Sequence, residues 1–66
     1  MAVRVIELIG SSKENFGEAV EDAVQQAAQK YRGLKGLKVA GFSAKIEGGQ
    51  IVEYRANVKI AYVIED

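Results

Sequence analysis

From Val52 to the end of the chain, apolar and polar residues alternate. Val52, Tyr54, Ala56, Val58, Ile60, Tyr62 and Ile64 fall on one parity, and Glu53, Arg55, Asn57 and Lys59 on the other. A period of two predicts a long strand with one face in a core and the other solvated, paired across strands or lining a site. At the opposite end, AVRVIELIG (2–10) is β-branched and nearly continuous, broken only by Arg4 and Glu7, so it reads as a strand ended by Gly10. Its apolar residues lie on both parities, which implies cover on both faces.

Between these, the period changes. Phe16, Ala19, Val20, Ala23, Val24, Ala27 and Tyr31 recur at helical spacing against Glu18, Glu21, Asp22, Gln25, Gln26 and Gln29, predicting one amphipathic helix. Ser11 and Glu14 have capping-box spacing, with Ser12 as the alternative cap. Acids early, Lys30 and Arg32 late, suit the macrodipole, and Gly33 stops a helix of about five turns. Gly17 in the first turn implies a close packing contact. The second strand, LKVAGFSAKIE (37–47), carries Leu37 and Val39 on one parity and Phe42, Ala44 and Ile46 on the other. A switch of parity at Gly41 predicts a β-bulge, and EGGQ predicts a tight hairpin through Gly48 and Gly49.

The order is therefore βαββ, an α+β fold in one domain spanning 1–66. A right-handed crossover and a hairpin together place strand three between the other two, giving an antiparallel sheet in the order 1-3-2. Strand three, at about 15 residues, would reach roughly 50 Å. A helix of about 18 residues spans only about 27 Å. Either the sheet curls around the helix, or another chain buries the overhanging Ile60, Tyr62 and Ile64. Both predict an obligate oligomer.

Composition sharpens that expectation. The chain has 66 residues, near the lower limit for a self-sufficient core, and neither Cys nor His. Disulfides and the common zinc sites are excluded, which leaves association as the means of stabilising so small a domain. Lys plus Arg balance Asp plus Glu at nine each, so neither nucleic acid nor an anionic membrane is an expected partner. No apolar run is long enough to cross a bilayer, and the expectation is a cytoplasmic protein.

Catalytic chemistry has little to work with. There is no imidazole base and no thiolate nucleophile, and the glycines match neither a phosphate-binding loop nor a dinucleotide fingerprint. The protein is not expected to be an enzyme. Glu14, Glu18, Glu21 and Asp22 lie outside any calcium-loop pattern and read as a solvated helix face. Tyr31, Tyr54 and Tyr62 fall on apolar faces and read as core. The row Glu53, Arg55, Asn57 and Lys59 is either a solvent face with cross-strand ion pairs or the wall of a pocket formed on assembly.

VIELIGSS, the single helix, LKGLKV, the Gly-Gly hairpin and EYRANVKIAYVIED together resemble the dodecin family, from about residue 3 to the end. That resemblance implies βαββ subunits whose curled antiparallel sheet partly wraps the helix, twelve of them forming a hollow shell. It also implies storage of a small molecule, with flavins (riboflavin, lumichrome or flavin mononucleotide) as the default ligand and coenzyme A bound by some members. In the family a Trp within a Trp-Phe-Glu-Val stretch stacks on the flavin, and a Gln on the long strand bonds its pyrimidine edge. Here Gly36-Leu37-Lys38-Val39 takes the place of that stretch and Arg55 the place of the Gln. The resemblance thus names Gly36, Leu37, Lys38, Arg55 and Asn57 as candidate ligand-binding residues. A guanidinium offers only donors, so Arg55 suits a phosphate or carboxylate better than a flavin edge. The same two departures resemble a subgroup of dodecins without the Trp that includes calcium-chelating members. A cage of that kind would hold cations through Glu53, Glu65 and Asp66, bind anions such as coenzyme A, or be purely structural.

Overall fold

The computed structural model describes residues 2–64. Strand β1 (Ala2–Ser12) leads into helix α1 (Phe16–Lys30), then β2 (Leu34–Glu47) and β3 (Gln50–Ile64). Both pairings are antiparallel and the sheet order is β1-β3-β2. The long alternating strand is central because the crossover carries β2 past it and the hairpin returns it into the gap. Gly48 and Gly49, at φ 60° and 78°, make the turn.

Strand β1 does not end at Gly10. Gly10 pairs with Ala56, Ser11 with Arg55 and Ser12 with Tyr54, because Gly10 is a place of close approach and not a terminator. It is buried, and a Cβ built on it would overlap the Ala19 carbonyl oxygen and lie 2.6 Å from the Ala23 nitrogen. Ala19, Ala23 and Ala27 form the buried stripe of α1, so small residues on both elements let the helix backbone sit directly on the sheet.

Since Ser11 and Ser12 are still paired in β1, neither is the helix cap. Asn15 takes that place: its Oδ1 accepts from Glu18 N at 2.8 Å. Ser12 supports it, accepting from Glu14 N at 2.9 Å and donating to Glu18 Oε2 at 3.2 Å. The cap is thus Asn15, four residues later than the Ser11 reading suggested, with Ser12 Oγ and not the Glu18 carboxylate accepting from Asn15 N, at 3.4 Å, and the helix is correspondingly shorter, about 22 Å. Gly17 has no close packing contact; a Cβ there meets only Asn15 Oδ1, at 3.4 Å. Replacing the cap by Ala in N15A should cost about 1 kcal/mol. Urea unfolding at fixed protein concentration measures it, and an unchanged midpoint would assign the cap elsewhere.

The core is Ala19, Ala23, Ala27, Ala56, Val58 and Ile60, the last three being alternate residues of β3 as the period of two required. Two aromatic contacts mark where the helix covers that strand: Phe16 on Tyr54, centroids 4.8 Å apart, and Tyr31 on Tyr62, also 4.8 Å. The eight residue steps from Tyr54 to Tyr62, at about 3.3 Å each, span about 26 Å, close to the helix length. The overhang is therefore at the hairpin and not at Ile60, which is 2% exposed. Helix α1 starts beside Tyr54 and returns along β1, leaving the hairpin half of β2 and β3 bare. Ile46 and Ile51 are exposed there, at 66% and 47%, while Phe42, 55% exposed, packs edge-on against Phe16 at the helix start, centroids 4.9 Å apart. The molecule measures 51 × 19 × 13 Å, as the strand length requires.

Strand β2 begins at Leu34, three residues before the expected Leu37, and its register shifts at three places. The shift between Val39 and Gly41 is the bulge that the change of apolar parity marks. Among the described residues no helix is long and apolar enough to cross a membrane.

Candidate functional site

The polar parity of β3 lies on the sheet face away from the helix. Because directly opposed residues in a sheet point to the same side, the pairings assign that face row by row. Ser11, Arg55 and Ser43 form one row, and Ile9, Asn57 and Gly41 the next. Glu7, Lys59 and Lys38 follow, then Val5, Ala61 and Gly36. The face is thus polar in its middle and apolar towards the end bearing Val3, Val5, Ala61 and Val63.

The candidate ligand residues fall into two places on it. Arg55 and Asn57 line a depression of about 310 Å³ with Ile9, Gly41, Phe42 and Ser43. Arg55 Nε donates to Glu53 Oε1, the neighbour two residues back on the same face. With both groups part exposed, this pair adds at most about 1 kcal/mol to stability and serves chiefly to fix the guanidinium. Asn57 Oδ1 is buried and has no hydrogen-bond partner among the described residues. A buried orphan acceptor costs about 1–3 kcal/mol, so the amide marks a spot that a donor from a ligand or a neighbouring subunit would relieve.

Gly36 and Lys38 lie two rows further on, around a second depression of about 310 Å³ lined also by Val5, Lys59 and Ala61. A Cβ at Gly36 would meet nothing within 4 Å. Leu37 is opposite Ile60, so its side chain turns to the helix face and shares an apolar hollow with Val24 and Leu34. The sheet therefore brings Arg55 with Asn57 and Gly36 with Lys38, and sends Leu37 to the other side. Ile9 and Ser43 line the first depression without having been named as ligand candidates from the sequence, and Lys59 lines the second as a member of the polar row that the alternation had marked. Counting back from the Gly-Gly turn would have placed Lys38 against Lys59, because the shifts at Lys45 and at Val39 cancel in that count.

A metal centre is poorly provided for. Glu53 is engaged by Arg55, no three carboxylates converge among the described residues, and Glu65 and Asp66 lie outside them. A flavin of the usual family kind would likewise find bare backbone at Gly36 and an occupied guanidinium at Arg55.

Comparison with known proteins follows the same lines. No curated protein matches the sequence. Among solved structures, a dodecin from Streptomyces coelicolor is 31% identical over 98% of this chain and 93% of its own, with a TM-score of 0.94. A dodecin from Streptomyces davaonensis is 22% identical, covering 98% and 96%, with a TM-score of 0.95. A calcium-chelating dodecin from Mycobacterium tuberculosis is 23% identical, covering 98% and 93%, at 0.85. The Dodecin family model matches residues 2–65. With that match spanning nearly every residue and the β1-β3-β2 sheet and single helix in agreement, the chain belongs to the dodecin family.

Proposed function

We propose that this chain is the subunit of a hollow homododecamer that binds and stores a small molecule without transforming it. The supporting observation is the apolar surface one subunit leaves bare on both sides of its sheet. Val3, Val5 and Ile9 are 59–63% exposed on the outer face, Ile46 and Ile51 extend beyond the helix, and Phe42 is 55% exposed beside Phe16 at its start. Residues of this kind on a 66-residue chain call for burial by further copies. Family membership supplies the number and the shell. The absence of His and Cys leaves no imidazole base and no thiolate for turnover, and binding alone accounts for the polar groups present.

Flavin is the family's ligand and the first to test. The outer face offers riboflavin a planar floor at Gly36 but no ring to stack on, so affinity should be low. Gly36→Trp should restore it. The Cβ has room, and one aromatic platform under a planar base contributes about 1–3 kcal/mol. Riboflavin fluorescence quenching should show binding tightened about tenfold or more in the variant. Equal quenching by both proteins would mean that Gly36 does not face the ligand.

A second reading draws on the calcium-chelating relative: a cage holding calcium through Glu53, Glu65 and Asp66. It requires Glu53 to leave Arg55. Calcium-dependent thermal stabilisation that is lost in E53Q is its test, and an unchanged melting temperature removes it.

A further inference from the structure

Helix α1 packs on β1 and β3 and barely touches β2. On the helix side, the start of β2 is therefore left with an apolar hollow of about 290 Å³, lined by Val24, Leu34, Lys35, Gly36, Leu37 and Ile60. Ile60, 2% exposed, lies at its floor, and Leu37 stands at its rim, 44% exposed. Lys35 is its one charged residue. It is the extra residue of the first register shift, without a partner on β3, and its ammonium joins no ion pair among the described residues. The hollow is thus concave, apolar and open, with a cation at its edge.

The other end of the sheet carries the reverse shape. Ile46 and Ile51 are directly opposed beside the hairpin turn and lie beyond the reach of α1. Glu47 adjoins them, and its pair with Lys45, 3.5 Å apart and more than half exposed on both sides, holds it only weakly. Ile51 precedes Ile60 by nine residues on β3, about 30 Å of strand. A chain therefore cannot fill its own hollow with its own hairpin. Only a head-to-tail contact between copies can, and such contacts close into rings. The exposed valines of β1 do not compete for the hollow, because they belong to a flat sheet face, whereas a hairpin end projects.

We infer that the hairpin of one copy seats in this hollow of the next. Ile46 and Ile51 pack against Val24, Leu34, Leu37 and Ile60, and Glu47 comes beside Lys35. The inference rests on the assembly reading above and names the contact that joins one copy to another. A projecting apolar pair entering an apolar pocket is the anchor of such a contact, and burying it removes the exposed isoleucines and the rim of Leu37 from water together. The opposite charges at its edge fix which end meets which.

The chain contains no Cys, so an introduced pair reports cleanly. L37C/I51C, oxidised in the assembled protein, should give covalent multimers on a non-reducing gel, and L37C or I51C alone should give none. Within one chain these two positions lie too far apart to bridge. Covalent dimers from I51C alone would mean that hairpins meet each other and would overturn the inference. An intact particle whose L37C/I51C chains stay separate on the gel would also overturn it. The charges test the contact without thiols, which decides the matter if L37C/I51C does not assemble. K35E and E47K should each raise the protein concentration for half-assembly about tenfold or more, and K35E/E47K should recover it. Unchanged assembly in both single variants, or no recovery in the double, would overturn the inference and leave the shell standing. Failure of the assembly reading itself would show differently, as a parent protein that never forms the particle.

Discussion

Gly10→Ala should abolish the native fold, or lower its stability by at least about 3 kcal/mol. The added methyl would overlap the Ala19 carbonyl oxygen and lie within 2.9 Å of Ala23 Cβ. Two of its neighbours are helix backbone, which cannot turn aside as a flexible side chain can. Relief requires lifting α1 off β1 and β3, and that would open the contacts of Ala19, Ala23, Ala27, Ala56 and Val58 together. A domain of this size has no reserve to absorb such a loss. Gly17→Ala is the matched control, because its Cβ meets only Asn15 Oδ1 at 3.4 Å and a helical Gly costs up to about 1 kcal/mol relative to Ala. Thermal unfolding at equal protein concentration should therefore move in opposite directions for the two variants. A Gly10→Ala protein that melts with the parent would mean the helix does not sit on this strand.

Ile60→Ala carries the second large expected effect, a loss of about 3 kcal/mol. Ile60 is 2% exposed and lies between Ile6 on β1 and Leu37 on β2. Deleting three carbons there forfeits their burial and leaves a cavity that rigid strands cannot close, with typical costs of about 2–5 kcal/mol. Urea titration at fixed concentration checks it, since subunit stability in an oligomer depends on concentration. A loss under about 1 kcal/mol would place Ile60 at a rim, where the overhang reading of the sequence had put it.

That reading shows where sequence patterns carry and where they stop. The alternation of Val52 to Ile64 located β3 and its buried set, because a period of two is a direct consequence of strand geometry. The change of apolar parity at Gly41 located the bulge for the same reason. What the pattern could not assign was the position of α1 along β3, which depends on where β1 ends. Gly10 looks like punctuation in a one-dimensional reading, yet it is the point at which two backbones meet. The misplaced strand end shifted the cap from Asn15 to Ser11, lengthened the helix, and put the bare end of the sheet at Ile60 to Ile64 and not at the hairpin. The candidate site divides in the same way. Arg55, Asn57, Gly36 and Lys38 lie on one face as a strand register allows. Leu37 goes to the other face by simple alternation, although the family resemblance had grouped it with them. Lys59 was visible as one of a polar row, but its opposition to Lys38 exists only once the hairpin is closed.

The central claim is that one subunit is incomplete and that its bare apolar faces are buried by copies of itself. Sedimentation or light scattering of the purified protein tests this most directly. The account predicts a compact particle with twelve times the 7.2 kDa mass of one chain. A stable monomer or dimer at micromolar concentration would contradict it.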